Sequence, residues 1–173
     1  RFWDRDWEVF YDTSAEHSKL LVRPRDVLDN AVPSGGSVAA ISLLRLSVFT
    51  GKTEYAEKAE ISMKAMIPHM EQAPSAVTSW LSAVDILRSN SQEVVLIGAA
   101  DDPVITDMKR ELRRTFSPNI VFAGATGESS EGASSPLLEG REQINGKATA
   151  YVCENYACML PVTTVAELIE QLG

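Results

Sequence analysis

The chain has 173 residues, of which 45% are hydrophobic and 23% are charged, the proportions of an ordinary globular protein. A chain of this length buries enough surface to fold without disulfides, and no apolar run approaches the roughly 20 residues of a membrane-spanning helix. A formal net charge of -8 opposes the phosphate backbone of nucleic acids. We therefore expect neither a nucleic-acid partner nor a membrane partner.

The first residues and the number of cysteines indicate whether the chain is part of a longer protein and in which cellular compartment it resides. The sequence begins at Arg1 rather than Met, and neither the basic nor the apolar segment of a signal peptide follows. We therefore expect a piece of a longer protein. Only two cysteines occur, Cys153 and Cys158, which are too few for the disulfide framework of a small secreted domain. We therefore expect a cytoplasmic localisation.

Residues 1–33 are predicted to be an irregular connecting segment, because aromatic residues are scattered among many charges without a sustained period. Its aromatic side chains need a surface to cover, either the helices that follow or a domain absent from this chain. They are Trp3, Trp7, Phe10 and Tyr11.

Residues 34–90 are predicted to form helices. Ser34 suits the N-cap of the first helix, which ends near Gly51 and is apolar on two sides, as buried helices are. A second helix is predicted over 53–67 and a third over 75–89 from apolar residues at helical spacing. Together they predict a sequential antiparallel array.

An α/β unit is predicted over residues 91–173. Residues 94–98 are a short apolar run ending in glycine, as buried parallel strands are. A helix over 103–116 and a second strand over 119–123 complete a right-handed βαβ unit.

The rest of this unit is predicted to hold one more strand and a final helix. Residues 124–147 are rich in Gly, Ser and Glu without periodicity, which predicts a mobile loop. A third strand is predicted over 148–152, and a helix over 165–172 begins with a capping box from Thr164 to Glu167. The predicted fold class is therefore mixed α and α/β, with antiparallel helices followed by a small three-stranded, mainly parallel unit.

Three stretches of the chain carry a resemblance to a known family. They are Phe-Tyr-Asp-Thr at 10–13 with Leu-Val-Arg-Pro-Arg at 21–25, Asp-Asn-Ala-Val-Pro-Ser-Gly-Gly-Ser-Val-Ala-Ala at 29–40, and Ala-Tyr-Val-Cys-Glu-Asn-Tyr-Ala-Cys-Met-Leu-Pro-Val-Thr at 150–163. In this order they resemble the C-terminal portion of the thioredoxin domain-containing YyaL family, which is related to the spermatogenesis-associated thioredoxin-like proteins. The cysteine-containing stretch is the most specific of the three.

The resemblance implies an architecture. In that family a thioredoxin-like domain precedes an α/α toroid similar to the N-acylglucosamine 2-epimerases, and a small α/β region closes the chain. Residues 34–90 would then be the last helices of an incomplete toroid, and their partners would be the missing N-terminal thioredoxin-like and toroid parts. Glu8 and Val9 stand where the family often has two glycines, which leaves the conformation of that loop open. The resemblance implies no particular reaction.

Cys153 and Cys158 are the redox candidates. Four residues separate them, which lets the two sulfurs meet if the chain folds back after the third strand, with Cα atoms within about 7 Å. Two packed reduced thiols, a redox-responsive pair and half of a metal site all remain open. A metal site needs two more ligands, and His17 and His69 lie far away in sequence, so we predict no metal.

A group of polar residues near the first helix supplies the ligand-binding candidates. Free N–H groups and the helix dipole favour a polar or anionic ligand at the start of a helix, and in a toroid such positions can face the central cavity. The candidates are Asp12, Arg23, Arg25, Asp29, Asn30, Ser34 and Ser37. The same pattern also fits a turn with an N-cap and surface ion pairs.

Two functions of different classes follow. One is an enzyme of the epimerase-like toroid class that acts on a carbohydrate-like small molecule, for which the sequence identifies no catalytic residue. The alternative is a non-catalytic scaffold or a redox-linked interaction module. No cofactor is expected, because the segment 98–102 lacks the repeated glycines and the lysine of nucleotide-binding loops. Apolar surface left by an incomplete toroid would favour a homodimer of the chain.

Overall fold

A computed structural model describes residues 1–17, 21–89, 91–114, 116–127, 135–154 and 157–172. The chain forms two compact units, one made of Arg1–Ser47 with Lys52–Ser89 and the other of Val48–Gly51 with Asn90–Gly173. Each unit has a core of its own.

The first unit opens with a short antiparallel hairpin of β1 (Trp3–Asp4) and β2 (Val9–Phe10). The ring of Trp3 packs edge-on against the ring of Phe10, with centroids 4.9 Å apart. Glu8 has a φ of 57°, a conformation that glycine adopts without steric cost. The described part of the predicted irregular segment over 1–33 therefore contains a regular hairpin. Its strands of two residues are too short to produce a periodic pattern in the sequence.

Four helices follow, namely α1 (Gly35–Thr50), α2 (Thr53–Ala65), α3 (Ile67–Gln72) and α4 (Thr78–Arg88). A 3-10 turn at Pro74–Ala76 precedes α4. The sequence pattern places Pro68 at the end of the second helix, whereas the structure places it in the first turn of α3. Proline is tolerated there because the first N–H groups of a helix have no partner within the helix.

The core of the first unit is built around Trp80, which is fully buried. Its indole Nε1 donates a hydrogen bond to the carbonyl of Val27 at 2.9 Å, so its polar atom is satisfied inside the core. Ala40 and Leu44 of α1 belong to the same core, whereas Val38 and Leu46 on other sides of α1 are exposed. The helix that the sequence predicts to be buried on two sides is therefore buried on one side within this unit.

The second unit contains a four-stranded sheet with the order β4-β3-β5-β6. The strands are β3 (Gln92–Ile97), β4 (Ile120–Ala125), β5 (Thr149–Glu154) and β6 (Ala157–Cys158). Strands β3 and β4 are parallel and are connected through α5 (Pro103–Arg114), whereas β5 pairs antiparallel with β3 and β6 pairs antiparallel with β5.

This sheet differs from the three mainly parallel strands that the sequence predicts. A parallel strand needs a crossover back along the whole sheet, usually through a helix. Residues 135–147 form turns and no helix, and β5 enters on the other side of β3 in the opposite direction. The apolar character of β5 predicts a buried strand, but it carries no information on direction.

One face of the sheet packs against α5 and α6 (Val165–Leu172). The capping box that the sequence predicts for α6 is present, because the N–H of Glu167 donates to Thr164 Oγ1 at 3.3 Å and the N–H of Thr164 donates to Glu167 Oε2 at 3.2 Å. These reciprocal hydrogen bonds satisfy backbone donors at the start of the helix.

The opposite face of the sheet packs against Leu137, which is fully buried. The predicted mobile loop over 124–147 is thus partly replaced by packed structure, since residues 124–125 belong to β4 and residues 135–147 supply buried side chains. Residues 128–134 of that prediction lie outside the described residues. Single buried side chains between turns produce no periodic pattern, which is why the sequence does not reveal this packing.

Candidate functional site

Cys153 and Cys158 face each other across β5 and β6 and are joined by a disulfide with an S–S distance of 2.07 Å. Their Cα atoms are 3.8 Å apart, which meets the expected limit. The N–H of Met159 donates to the carbonyl of Val152 at 2.9 Å, so the next pair along the hairpin is hydrogen-bonded. The cysteines therefore occupy a non-hydrogen-bonded pair, where facing side chains come closest. Proximity is observed, and a redox role stays a prediction.

The two cysteines differ in their access to solvent. Cys153 lies in the interior of the sheet and is 0% exposed, whereas Cys158 on the short edge strand β6 is exposed. A thiol in solution can therefore approach Cys158, while the surrounding structure shields Cys153.

The guanidinium of Arg141 lies beside both sulfurs. Its Nη2 is 3.2 Å from the Sγ of Cys153 and 3.2 Å from the Sγ of Cys158. The other terminal nitrogen, Nη1, donates to the carbonyls of Leu137 and Pro136. Arg141 is only 8% exposed, so this cation is fixed in a largely water-free position against the disulfide.

A carboxylate and an aromatic ring complete the surroundings of Arg141. Glu93 is 2% exposed and lies directly across from Cys153 in the β3/β5 register. The Tyr151 ring centre is 5.8 Å from the guanidinium carbon of Arg141, and its hydroxyl donates to the carbonyl of Glu142 at 2.7 Å. Burial lowers the pKa of Arg141, while the charges of Glu93 and Tyr151 act in the opposite direction.

Arg141, Glu93 and Tyr151 are site residues that the sequence did not identify. Arg141 comes from a segment without periodicity, and Glu93 stands at the polar start of an apolar strand. Glu93 and Cys153 become neighbours only because β5 is antiparallel to β3 in this register. The single local signal is the spacing of Tyr151 and Cys153, which places both on one face of a strand.

Among the predicted ligand-binding residues, the two arginines are engaged in contacts within the first unit. Arg25 pairs with the buried carboxylate of Asp4 at 2.6 Å. Arg23 lies 3.7 Å from the centre of the Tyr11 ring and donates to the carbonyl of Thr13 at 2.8 Å. Both cations therefore hold the N-terminal segment in place.

Asp29 connects the starts of two helices. Its Oδ1 accepts the N–H of Ser34 at 2.9 Å, ahead of α1, and its Oδ2 accepts the N–H of Ser79 at 2.7 Å, in α4. Burial acts to raise the pKa of Asp29, but the hydrogen bonds from Ser34, Ser79 and Thr78 outweigh it, and the pKa is lowered overall.

The remaining polar candidates bond to one another or to nearby residues. Ser34 caps α1 as predicted, since its Oγ accepts the N–H of Ser37 at 3.3 Å, and its hydroxyl contacts that of Ser37 at 3.0 Å. Both serines are buried. Asn30 donates to the carboxylate of Asp26 at 3.2 Å. The segment 29–37 thus forms a turn with a cap.

Asp12 is the candidate that borders a cavity. This cavity has a volume of about 410 Å³ and lies between the N-terminal segment and α1 within the first unit. Its lining is Phe2, Phe10, Tyr11, Asp12, Gly35, Ala39, Ser42 and Leu43. Asp12 Oδ2 also accepts the N–H of Asp26 at 2.9 Å. The structure therefore brings one predicted residue, and three aromatic rings, to a common space.

The described residues form neither a metal-binding cluster nor a membrane-spanning helix. In the described ranges, no three side chains among His, Cys, Asp and Glu come together in a way that could hold a metal ion. The same part of the chain contains no helix that combines the length and the apolar character needed to cross a membrane.

The amino-acid sequence of this chain is similar to those of several known proteins. It is 31% identical over 170 residues to spermatogenesis-associated protein 20 of Homo sapiens, and 32% identical over 173 residues to the Mus musculus protein of that name. Each match covers 96% of this chain. The chain is homologous to one segment of spermatogenesis-associated protein 20. The resemblance to spermatogenesis-associated proteins is confirmed, and the assignment to the YyaL family stays a prediction.

The chain spans 22% of the length of these spermatogenesis-associated proteins. An uncharacterized protein of Caenorhabditis elegans is 25% identical over 170 residues, with 98% of this chain and 23% of the relative covered. No protein-family model matches the chain.

The Asp29 contacts predict a pH-dependent stability of the first unit. Replacement of Asp29 by Asn should lower the free energy of unfolding at pH 7 by about 2 kcal/mol, because two backbone N–H groups lose a charged acceptor. The lowered pKa means that the carboxylate stabilises the fold above its ordinary pKa of about 3.9 and loses this effect as the pH falls through the folded-state pKa. The difference between D29N and the parent chain should therefore shrink below about pH 4.

Urea denaturation followed by circular dichroism between pH 3 and 7 measures this difference. Asp85→Asn, the same change at an exposed position of α4, is the matched control and should change stability little. Equal stability of D29N and the parent chain at pH 7 would contradict the role given to Asp29.

Proposed function

We propose that this chain is a redox-linked interaction module of a larger protein, in which the Cys153–Cys158 disulfide is opened and closed by thiol–disulfide exchange. The observation that carries the proposal is the pairing of one exposed and one buried cysteine in a single disulfide. Exchange begins with attack of a thiolate on an accessible sulfur, and Cys158 offers such a sulfur.

A purely structural role explains this disulfide less well. The chain-entropy gain from a cross-link is smallest for short loops and is about 2 kcal/mol for a loop of this size. The cysteines are 5 positions apart in one hairpin, whose strands are already paired by backbone hydrogen bonds. The entropic gain from this bond is therefore at the low end for disulfides, and the bond remains available to an external thiol.

The resemblance to thioredoxin domain-containing proteins supplies a reaction partner for this module. We propose that the chain is the C-terminal portion of such a protein, and that the thioredoxin-like domain elsewhere in that protein provides the dithiol. The location would then be a reducing compartment such as the cytoplasm, where structural disulfides are rare and those that form are usually transient.

We further propose that α1 to α4 are the last helices of an incomplete α/α toroid. The proposal follows the resemblance and is supported by the exposed apolar residues Val38 and Leu46 on α1. Other segments of the larger protein would cover this surface. In the isolated chain the same surface favours a homodimer.

A carbohydrate-like small molecule is the ligand of a second candidate function, which the cavity beside Asp12 favours. Aromatic walls with one carboxylate are the combination that binds sugar rings by stacking and hydrogen bonding. Among the predicted ligand residues, Asp12 is the one in the lining of this cavity, so this candidate depends on Asp12. An epimerase-like reaction would also need a general acid and a general base positioned at the sugar. We assign neither role to a residue of this chain.

Titration with N-acetylglucosamine, followed by intrinsic fluorescence, tests the second candidate. We expect a saturable signal from the aromatic lining, with an affinity about tenfold weaker in Asp12→Asn, because a charged acceptor is lost. Asp6→Asn, an exposed aspartate in the same segment, is the control and should bind normally. The absence of saturable binding to the parent chain would remove this candidate.

Reduction of the native chain tests the principal proposal. The folded chain is equilibrated with increasing dithiothreitol, free thiols are alkylated, and the products are counted by mass spectrometry. We expect full and reversible conversion between zero and two alkylated cysteines without loss of secondary structure, because Cys158 is exposed.

A chain unfolded in guanidinium chloride serves as the control for complete access. If the folded chain stays oxidised where the unfolded chain is fully reduced, the disulfide is structural and the redox proposal fails. The redox proposal also fails if both thiols of the reduced chain stay free under mild oxidant.

A further inference from the structure

The contact of Arg141 with both sulfurs adds a chemical element to the exchange site. Nη2 is within 3.2 Å of each Sγ, so the same positive charge faces both atoms between which the bond breaks. Carbonyls of Leu137 and Pro136 hold Nη1, which fixes the guanidinium plane. A guanidinium remains protonated throughout the range in which thiols titrate.

A buried thiolate at Cys153 would be unfavourable without this cation. Burial in apolar surroundings raises a thiol pKa, and the buried carboxylate of Glu93 lies directly across from Cys153. Tyr151 is on the same face of the strand as Cys153. The guanidinium of Arg141 contacts the Cys153 sulfur and offsets both burial and the Glu93 carboxylate.

We propose that Arg141 is a catalytic residue of the exchange, stabilising Cys153 as the thiolate leaving group when a partner dithiol attacks Cys158. This inference rests on the proposed redox function and deepens it by assigning the order of events and the class of partner. The exposure of Cys158 and the burial of Cys153 direct the attack to Cys158. Arg141, which contacts both sulfurs, then stabilises the Cys153 thiolate that leaves, and a leaving thiol with a lower pKa leaves faster.

The reaction balances with a dithiol as the reductant. One partner thiol loses its proton, and the resulting thiolate forms a bond to Cys158 Sγ. The Cys153–Cys158 bond breaks, and its electron pair goes to Cys153 Sγ beside Arg141. The partner's second thiol then loses its proton and attacks the partner sulfur in the mixed disulfide, which releases Cys158. Two protons return to the cysteines, the partner becomes a disulfide, and two electrons have been transferred.

A single-thiol titration tests the role of Arg141 directly. Cys158→Ser leaves Cys153 as the sole cysteine of the chain, and thiolate formation is followed by absorbance at 240 nm as the pH rises. We expect a midpoint below the ordinary value of about 8.5, although burial alone would place it above that value. A midpoint above about 8.5 would overturn the inference without any change at Arg141.

Substitution of Arg141 in the same background gives the second readout. Arg141→Gln should raise the Cys153 midpoint by about one pH unit or more, which is a tenfold loss of thiolate at a given pH. Arg141→Lys keeps the charge and should lie between the two. Arg113→Gln, the same change at an exposed position of α5, is the control and should leave the midpoint unchanged. Circular dichroism checks that each variant is folded.

The rate of disulfide reduction separates this inference from the proposed function. With both cysteines present, Arg141→Gln should be reduced by dithiothreitol roughly tenfold more slowly than the parent chain at pH 7. Equal rates would overturn the role of Arg141 while leaving exchange intact. If the parent chain is not reduced at all, the proposed function fails, and the single-thiol midpoint still decides whether Arg141 acts on Cys153.

Discussion

The burial of the Arg141 charge is the constraint on which the second unit depends. A buried cation is costly unless neighbouring groups compensate it, and here the carbonyls of Leu137 and Pro136, the two sulfurs and the field of Glu93 do so. These groups come from four segments, namely the turns over 135–147 and the strands β3, β5 and β6. The turns over 135–147 must therefore pack against the sheet face that carries Cys153, and the same packing holds the cation beside the disulfide.

The elements that could be predicted from the sequence are those with local signals. Strand β3, helix α5 and strand β4 follow from an apolar run and helical periodicity, and the α6 capping box follows from residue types at fixed spacing. The direction of β5 and the packing of Leu137 could not be predicted, because they depend on contacts between distant segments. Arg141 was missed for the same reason.

The predicted ligand residues show that the same polar side chains can either bind a ligand or stabilise the fold. A carboxylate near a helix start can bind a ligand, and it can equally satisfy the free N–H groups of the helix. Asp29 does the second for two helices at once, which the sequence could not reveal because Ser79 is 50 positions away. Asp29 therefore has a structural role, whereas Cys158 is a reactive group that the fold leaves exposed.

Trapping of the mixed disulfide tests directly whether exchange proceeds through the sulfur of Cys158. A thioredoxin-like protein that lacks its second active-site cysteine would trap the mixed disulfide, and cleavage after Glu154 would place the two cysteines of this chain on different peptides. We expect the partner to be attached to the Cys158 peptide, because that cysteine is exposed and Cys153 is 0% exposed beside Arg141. Attachment to the Cys153 peptide, or no adduct under conditions that reduce the disulfide, would contradict it.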